Sequence, residues 1–513
     1  MKHLALLLLL ALAGTPALAA PAPDPGRPTR VTAGGFTFDL GGEYRIDAAR
    51  VGALPILQAE PGAADAIPVQ RFLEHRLLFA PGARWESTGV VRKVGVVSEI
   101  VLTDGVVMGS FDGREPLRWA GRPRLGVDSP RLENVDVRQL YASLVLPPVA
   151  LRVGRQLSEW GGGMLANGGA TRFDDLRFGF PRTGDVVDRA ELFFWPLLLA
   201  QTSRPKALLL TFAGDRVVRD ALADRARDED AWQLLSTVAW HDEAWEAGVF
   251  YLYRRQSNAL DDRTTAHVVD AFGRYEAEVG EVRLRAAAEV ALLAGATEAT
   301  RTPTHPGAAD VLGLGATLEG SAEWRMLQGA LEAGYASGDS DPTDDRFAAF
   351  SFHPDHRVGL VLFPELLGAA SAVQATNAAN PTFAASPARG FDQLPTDGAV
   401  TDAVYLFPRV SVRPLAFLDV MGGFLAAWGA CPVTDPFWSN VSGRALGPFG
   451  GPAARFLGWE VDGALRLTMH QGPVQVTGVL EGGYLQPGEA FADARGDTPG
   501  PVSLMQARLH VSW

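Results

Sequence analysis

Charged side chains recur at every second position in several segments of this 513-residue chain. In the segment VRLRAAAEVAL, Arg283, Arg285 and Glu289 alternate with apolar residues. If such a face lines a water-filled space, opposed arginines and carboxylates create a transverse field, and rings of one sign select ions by charge. The alternative is that these charges pair across neighbouring strands and only stiffen the wall. The candidate selectivity residues are Arg45, Arg152, Arg254, Arg274, Arg283, Arg285, Arg409, Arg413, Arg466, Arg508, Glu289, Glu319, Glu323 and Glu460.

A glycine-dense stretch, residues 157–188, interrupts this alternation and carries aromatic and charged residues in a loop. Such a loop can fold into a wide bore and constrict it, or it can extend into the solvent. The candidate constriction residues are Trp160, Phe173, Asp174, Asp175 and Arg177.

A second loop offers carboxylate oxygens at close spacing. Asp339, Asp341, Asp344 and Asp345 crowd one turn, and oxygen-rich turns of this kind can hold calcium. The ligand spacing and closing glutamate of an EF-hand are absent, so a solvated acidic loop is the alternative. We expect no other cofactor.

Catalytic motifs are absent from the sequence. It contains no GxSxG elbow, no HExxH pair and no Walker A loop. We therefore predict that the protein is not an enzyme. An outer-membrane hydrolase is the alternative, and it would depend on His241, His353 or His356.

The elements that carry these residues are strands. In the segment FTFDLGGEYRIDA, Phe36, Phe38 and Leu40 share one face, and Asp39 and Glu43 lie on the other. Alternation with period two is typical of a strand that has one apolar and one wet face. The same pattern returns along the whole chain, which predicts an all-β protein.

The connections alternate between short and long. Short joins are expected at Pro147–Pro148, Arg204–Pro205, His241–Asp242, Gly280, Arg325–Met326, Pro414 and Gly472–Pro473, with long polar stretches between them. Transmembrane antiparallel barrels show this asymmetry, with tight periplasmic turns and long extracellular loops. We count about eighteen strands, and an even number puts both termini on the periplasmic side. A soluble propeller or sandwich is the alternative.

The two ends of the chain agree with this architecture. Residues 1–19 have the basic start, apolar run and small-residue cleavage site of a secretory signal peptide. Residues 20–35 form a proline-rich lead-in, and residues 36–513 form the predicted barrel. The chain ends on the alternating segment SLMQARLHVSW, which predicts a closing strand that pairs with the first.

Composition limits the partners. The formal net charge is −13, and an acidic surface argues against nucleic acid as a partner. A single cysteine, Cys431, rules out an internal disulfide framework. The expected partners are the lipid of the bacterial outer membrane, a small-molecule or oligosaccharide solute, and the machinery that assembles outer-membrane barrels.

Two stretches carry a family resemblance. The run GRQ, then WGGGML, then RFDDLRFG (residues 154–179) resembles the alginate-export family of outer-membrane porins, as does LEAGYASGDSDPTDDRFAAFSFHPDH (residues 331–356). The resemblance implies an eighteen-stranded monomeric channel with an arginine-lined bore that passes a polyanionic polysaccharide. This chain departs from that pattern, because its inferred lumen carries at least as many carboxylates as arginines.

The sequence therefore predicts a passive outer-membrane channel with a charged lumen. Its solutes would be small or oligomeric, with anionic, saccharide-like solutes as one option. A barrel plugged by its own loops, with a structural or adhesive role carried by residues 338–402, is the competing interpretation.

Overall fold

The computed structural model describes residues 29–57, 66–110, 132–133, 135–170, 176–181, 184–200, 202–259, 261–300, 305–379, 396 and 398–513. The predicted signal peptide lies outside these residues, as do Phe173, Asp174 and Asp175. No helix in the described part of the chain is long and apolar enough to cross a membrane.

Within the described residues, eighteen long strands form the wall of one closed sheet. Strands β1 to β9 are Phe36–Val51, Gln70–Glu86, Lys93–Ser110, Asp136–Leu146, Val149–Ser158, Asp185–Phe194, Leu208–Arg219, Asp230–His241 and Trp245–Ser257. Strands β10 to β18 are Arg263–Val279, Val282–Thr297, Ala309–Trp324, Leu327–Ala336, Ala403–Leu415, Leu418–Val433, Ala454–Gln471, Val474–Pro487 and Val502–Ser512.

The sheet closes where the last strand meets the first. Strand β18 pairs antiparallel with β1, with Val511 opposite Tyr44 and Leu509 opposite Ile46. Trp513 and Gly42 then exchange backbone hydrogen bonds, each 3.0 Å between nitrogen and oxygen. Residues Thr29–Ala33, within the lead-in, pair with β1 beyond that point and continue the ladder. Closure removes the unpaired sheet edges. Backbone groups in lipid require this closure, because no water is available there to form their hydrogen bonds.

Inner and outer faces differ as the alternation predicts. In β11, Val290 and Leu292 expose 47% and 46% of their surface, whereas Glu289 and Ala291 expose 1% and 0%. Exposed aromatic side chains lie near both ends of the wall, as in the girdles of membrane barrels; they include Trp240 and Trp324 at one end and Tyr335, Trp428 and Tyr484 at the other. The predicted transmembrane antiparallel barrel is confirmed.

One end of the barrel carries most of the short turns, and we call it the short-turn end. The two-residue joins at 147–148, 280–281, 325–326 and 472–473 lie where the sequence placed them. Gly280 and Gly472 have φ values of 65° and 60°, a region that favours glycine in tight turns. Two details differ from expectation. The join near Arg204–Pro205 is a longer segment, residues 195–207, and the turn expected at Pro414 lies at residues 416–417.

Two segments from the other, long-loop end occupy the interior of the barrel. They are the described parts of the glycine-rich loop (residues 159–184, described at 159–170, 176–181 and 184) and of the apolar loop (residues 337–402, described at 337–379, 396 and 398–402). The apolar loop includes a helical segment, Leu362–Leu367, that continues into helix α1, Gly368–Ala379. A third long loop carries the short helix α2, Pro436–Ser442. Because an eighteen-stranded barrel is too wide for its own side chains to fill, these segments supply its core.

The apolar loop brings the largest share of that core. Its buried side chains pack on the inner faces of β14 to β17 and form one cluster. Small wall residues make room for them; a Cβ added at Gly315 would overlap the ring of Phe350. The main loop members are Phe350, Phe352, Val361, Leu362, Phe363 and Leu366, and the main wall members are Tyr405, Phe407, Leu425, Leu457 and Leu485.

Candidate solute pathway

The glycine-rich loop is attached to the wall through buried carboxylates. The indole nitrogen of Trp160 donates a hydrogen bond to Oδ1 of Asp270 on β10, at 2.9 Å. The backbone nitrogen of Gly162 donates to Oε2 of Glu289 on β11, at 2.5 Å. The Trp160 ring also stacks on Phe250, with 5.5 Å between centroids. Trp160 and Glu289, both candidates from the sequence, are thus brought together in the bore.

Further along the same loop, Arg177 reaches the next strand of the wall, β12. Its guanidinium lies 2.9 Å from Oε2 of Glu319, and the guanidinium of Arg409 lies 2.8 Å from Oε1 of the same residue. Arg409 also contacts Glu332 at 2.9 Å and donates to the carbonyl oxygen of Leu176 at 3.4 Å. We call Arg177, Arg409, Glu319 and Glu332 the central cluster.

The apolar loop meets the central cluster from the other side. Nε2 of His356 lies 3.1 Å from Oε1 of Glu332, and the Tyr405 hydroxyl donates to that same oxygen at 2.8 Å. Glu332 therefore contacts both loops, since the Arg177 guanidinium also lies 3.9 Å from its Oε2. Because all these groups are in one network, changing one of them is expected to disturb the others.

A second carboxylate holds the apolar loop by its backbone. The nitrogens of Leu360, Val361 and Leu362 donate to the carboxylate of Glu460 on β16, at 2.5, 2.8 and 2.7 Å. Glu460 exposes none of its surface. Three charge-assisted hydrogen bonds to one buried carboxylate fix this part of the loop against the wall.

The two loops also bind each other. Nε2 of His353 lies 2.9 Å from Oδ1 of Asp185, the residue that follows the glycine-rich loop, and the backbone nitrogen of Gly184 donates to Asp355 at 2.8 Å. Burial opposes protonation of His353, but the carboxylates of Asp185, Asp355 and Asp220 outweigh it and raise the pKa to about 9.

The predicted lumenal arginines are paired with carboxylates. Within the described residues, the ion pairs are Arg45–Asp47, Arg152–Glu191, Arg254–Asp220, Arg274–Glu246, Arg283 with Glu276, Glu278 and Glu323, Arg285–Glu276, Arg409 with Glu319 and Glu332, Arg413–Asp419 and Arg508–Asp47. Arg466 is buried on β16. The described wall therefore does not present a ladder of uncompensated positive charge.

One cavity lies on each side of the two loops, and each cavity has a volume of about 440 Å³. The short-turn cavity is lined by Arg177, Arg274, Arg285, Glu276 and Glu319. The long-loop cavity is lined by parts of both loops and by residues of β6 and β8 to β12. No described residue lines both cavities, and residues of both loops line each of them.

The acidic turn is organised by its own backbone. Asp339 accepts hydrogen bonds from the nitrogens of Asp341 and Ala348, Asp341 accepts from Thr343, and Asp344 accepts from Arg346. In the described part of the chain, no group of three or more histidine, cysteine, aspartate or glutamate residues is placed to hold a metal ion. Calcium binding by Asp339, Asp341, Asp344 and Asp345 stays a prediction.

Sequence reasoning missed two residues that position the loops. Asp270 has the same strand parity as Arg274, so the alternation itself could have identified it as lumenal. Asp185 gave no such signal, because its partner His353 is 168 residues away.

No family model matches the chain, and no curated protein matches it. Several solved structures are similar to it in fold. Acinetobacter baumannii OccAB1 is 10% identical with a TM-score of 0.49, covering 96% of this chain and 99% of that one. Pseudomonas aeruginosa OccK9 (OpdG) is 12% identical with a TM-score of 0.48, covering 92% and 98%. Pseudomonas aeruginosa OpdK, solved with vanillate, is 12% identical with a TM-score of 0.47, covering 93% and 98%.

These identities and TM-scores are too low to assign a solute or a family. The fold therefore rests on the strand pairing and the apolar outer face of this chain. The resemblance to the alginate-export family stays a prediction.

Proposed function

We propose that this protein is a passive channel of the bacterial outer membrane whose bore is narrowed by two inward loops. The observation that carries the proposal is that both inward loops line a cavity at each end of the barrel, with Arg177 and Glu319 of the central cluster in the wall of the short-turn cavity. A wide barrel without inward loops would be a general aqueous pore. Here a solute must pass Arg177, Glu319 and their partners.

The size of the cavities favours small solutes. Volumes of this order suit molecules of metabolite size, since small-molecule sites commonly enclose about 300–1,000 Å³. The paired arginines argue against an anionic polymer, because Arg177, Arg274, Arg285 and Arg409 each have a carboxylate partner within 4 Å. We infer that the bore discriminates small solutes by local charge rather than by one sign along its length.

The short-turn end would face the periplasm and the long-loop end would face the outside. This orientation follows the usual arrangement of outer-membrane barrels, in which the extracellular loops are the longer ones. Both termini would then lie in the periplasm, and cleavage after residue 19 would remove the signal peptide.

Single-channel recording tests the proposal. Purified, refolded protein in a planar bilayer is expected to give a steady current, and a salt gradient gives its ion selectivity from the reversal potential. The variant Arg177→Gln should change both conductance and reversal potential, because Arg177 lies in the central cluster. The matched control is Arg325→Gln, which removes an arginine that is 65% exposed at a short turn and should change neither.

A plugged barrel is the second candidate, because no described residue lines both cavities. It predicts no steady current from protein shown to be folded by heat-modifiable migration in gel electrophoresis. That result would reject the channel and leave a structural or adhesive role.

A further inference from the structure

The long-loop cavity combines an apolar wall with an excess of negative charge. Its wall includes Phe250, Leu252, Val268 and Leu293 from the strands and Phe350 from the apolar loop. Its described lining also contains eight carboxylates, against two arginines and one histidine. The short-turn cavity, by contrast, has five carboxylates against four arginines and one histidine among its described residues.

Two of the three cations in the long-loop cavity are already neutralised. The Arg254 guanidinium lies 2.5 Å from Oδ2 of Asp220, and the His353 imidazole lies 2.9 Å from Oδ1 of Asp185. The third is Arg346, which is exposed. The negative charge of the remaining carboxylates is therefore not balanced by the described lining of the cavity.

Three of these carboxylates have only uncharged hydrogen-bond donors in the described structure. Asp402 accepts from the backbone nitrogen and sulfur of Cys431, and Asp435 accepts from the backbone nitrogen of Trp438. Asp339 accepts from the nitrogens of Asp341 and Ala348. Burial raises the pKa of Asp402 to about 6 and that of Asp435 to about 7, and it also raises the pKa of Asp339.

A buried hydroxyl group adds an independent observation. Thr300 lines the same cavity, exposes 8% of its surface, and has no hydrogen-bond partner for Oγ1 among the described residues. A buried polar group that lacks a partner is costly, so such groups commonly mark a place where a ligand or water binds.

We propose that the long-loop cavity binds a small organic cation that carries an apolar body, and that it loads this solute into the channel. The proposal rests on the proposed channel function for the loading step, but not for the binding step. The ammonium group of the solute would lie near Asp339, Asp402 and Asp435, where it supplies the missing positive charge. Its apolar body would replace water against Phe250, Leu252 and Phe350.

The physical reason is the cost of burying a carboxylate without a counter-ion. Burial of such a carboxylate carries a desolvation penalty that neutral hydrogen-bond donors offset only in part. An organic cation offsets more of this desolvation penalty than a neutral or anionic solute of equal size can. The apolar wall then distinguishes this solute from a small, strongly hydrated inorganic cation.

The probe is benzyltrimethylammonium, compared with neutral benzyl alcohol and anionic benzenesulfonate. Binding to the folded, detergent-solubilised protein is measured by isothermal titration calorimetry at pH 8, where Asp402 and Asp435 are ionised. The expected order is benzyltrimethylammonium first, then benzyl alcohol, with benzenesulfonate weakest. Equal or tighter binding of benzenesulfonate would overturn the proposal.

Matched variants locate the site. The double variant Asp402→Asn, Asp435→Asn keeps one acceptor oxygen at each position and the N-cap of α2, since asparagine caps helices as well as aspartate. It should weaken binding of benzyltrimethylammonium about tenfold or more, and binding of benzyl alcohol little. The control Asp497→Asn removes an exposed charge from the same end of the barrel without touching the cavity, and it should change neither affinity. Equal loss in the control would contradict the proposed site.

Current block separates this inference from the proposed function. If wild-type protein conducts and benzyltrimethylammonium blocks it from the long-loop side, both stand. If the protein conducts but benzyltrimethylammonium neither blocks the current nor binds in calorimetry, the cavity site is rejected and the channel remains. Binding without any current rejects the channel and leaves the cavity site.

Discussion

The glycine-rich loop and the apolar loop enter the same bore, but they differ in the balance of polar and apolar contacts that hold them there. The described part of the glycine-rich loop combines separate polar contacts, such as Trp160 to Asp270 and Gly162 to Glu289, with three side chains in the apolar cluster, Met164, Leu176 and Phe178. The apolar loop buries a continuous set of side chains, including Phe352 and Phe363, and adds the Glu460 contact to them.

This difference predicts different mechanical behaviour. Apolar burial contributes over a whole surface and is insensitive to charge, so the apolar loop should stay in place when single polar contacts are lost. The glycine-rich loop has fewer members in that apolar cluster, so the loss of one of its polar contacts should displace it more easily. We therefore expect the glycine-rich loop to be the adjustable element of the constriction. The following predictions test that contrast, in order of decreasing expected effect.

The largest effect is expected from Phe363→Ala. Phe363 exposes none of its surface, and removing a buried aromatic ring costs about 3–5 kcal/mol of packing free energy. The apolar loop should loosen, and protease cleavage within residues 337–402 should become faster. Phe417→Ala, at a ring that is 47% exposed in a short turn, is the control and should leave the cleavage rate unchanged.

The second effect is a pH dependence of the contact between the loops. The pKa of His353 is raised from 6.5 to about 9 by the Asp185, Asp355 and Asp220 carboxylates, which outweigh its burial. Its stabilisation, roughly 3 kcal/mol at most, is therefore complete below pH 6.5 and is lost as the pH rises through 9. Current noise from loop motion should increase between pH 8 and 10. In His353→Gln this rise should disappear; a rise of the same size would attribute it to another group.

The third prediction concerns Glu460→Gln. The change removes the negative charge and turns an acceptor into a donor beside the nitrogens of Leu360, Val361 and Leu362, which costs about 2–3 kcal/mol. Hydrogen exchange of these three amides should accelerate while the strands stay protected. Glu278→Gln, whose side chain is 73% exposed, is the matched control. If the amides keep their protection, Glu460 does not hold the loop.

The smallest effect is expected from Trp160→Phe. The phenyl ring can keep the stack on Phe250 but loses the hydrogen bond to Asp270, at a cost of about 1–2 kcal/mol. Conductance should change while thermal unfolding stays within error, because the wall is intact. Trp324→Phe loses a comparable hydrogen bond to Glu281 on the exposed surface and should conduct as wild type does. Unchanged conductance in Trp160→Phe would indicate that the glycine-rich loop is not the adjustable element.

Much of the wall could be predicted from local pattern. Alternation with period two assigns each residue of a strand to one face of the sheet, so it predicts that Glu289 and Arg409 face the lumen. Turn residues such as Gly280 and Gly472 marked the tight joins, because positive φ values favour glycine. The closing strand followed from the need to remove sheet edges in lipid.

The partners of the lumenal charges could not be predicted in this way. Arg409 and Glu319 are 90 residues apart in the sequence, and Gly162 and Glu289 are 127 residues apart. The alternation along each strand predicts that wall residues such as Arg409, Glu319 and Glu289 face inward. The partner of each residue, however, depends on strand register and on the position of the loops. The sequence therefore predicts many lumenal charges without their partners, whereas the structure shows which of these charges form ion pairs.

The sequence by itself determined an alternating, antiparallel wall that closes on its last residue, because those features depend on nearest neighbours along the chain and on the rules of backbone pairing. Only the tertiary structure decided that both loops occupy the bore and that acidic and apolar residues meet in one cavity at the long-loop end. The physical reason is that loop placement depends on burial and charge pairing between distant segments. Such interactions have no signature in local spacing.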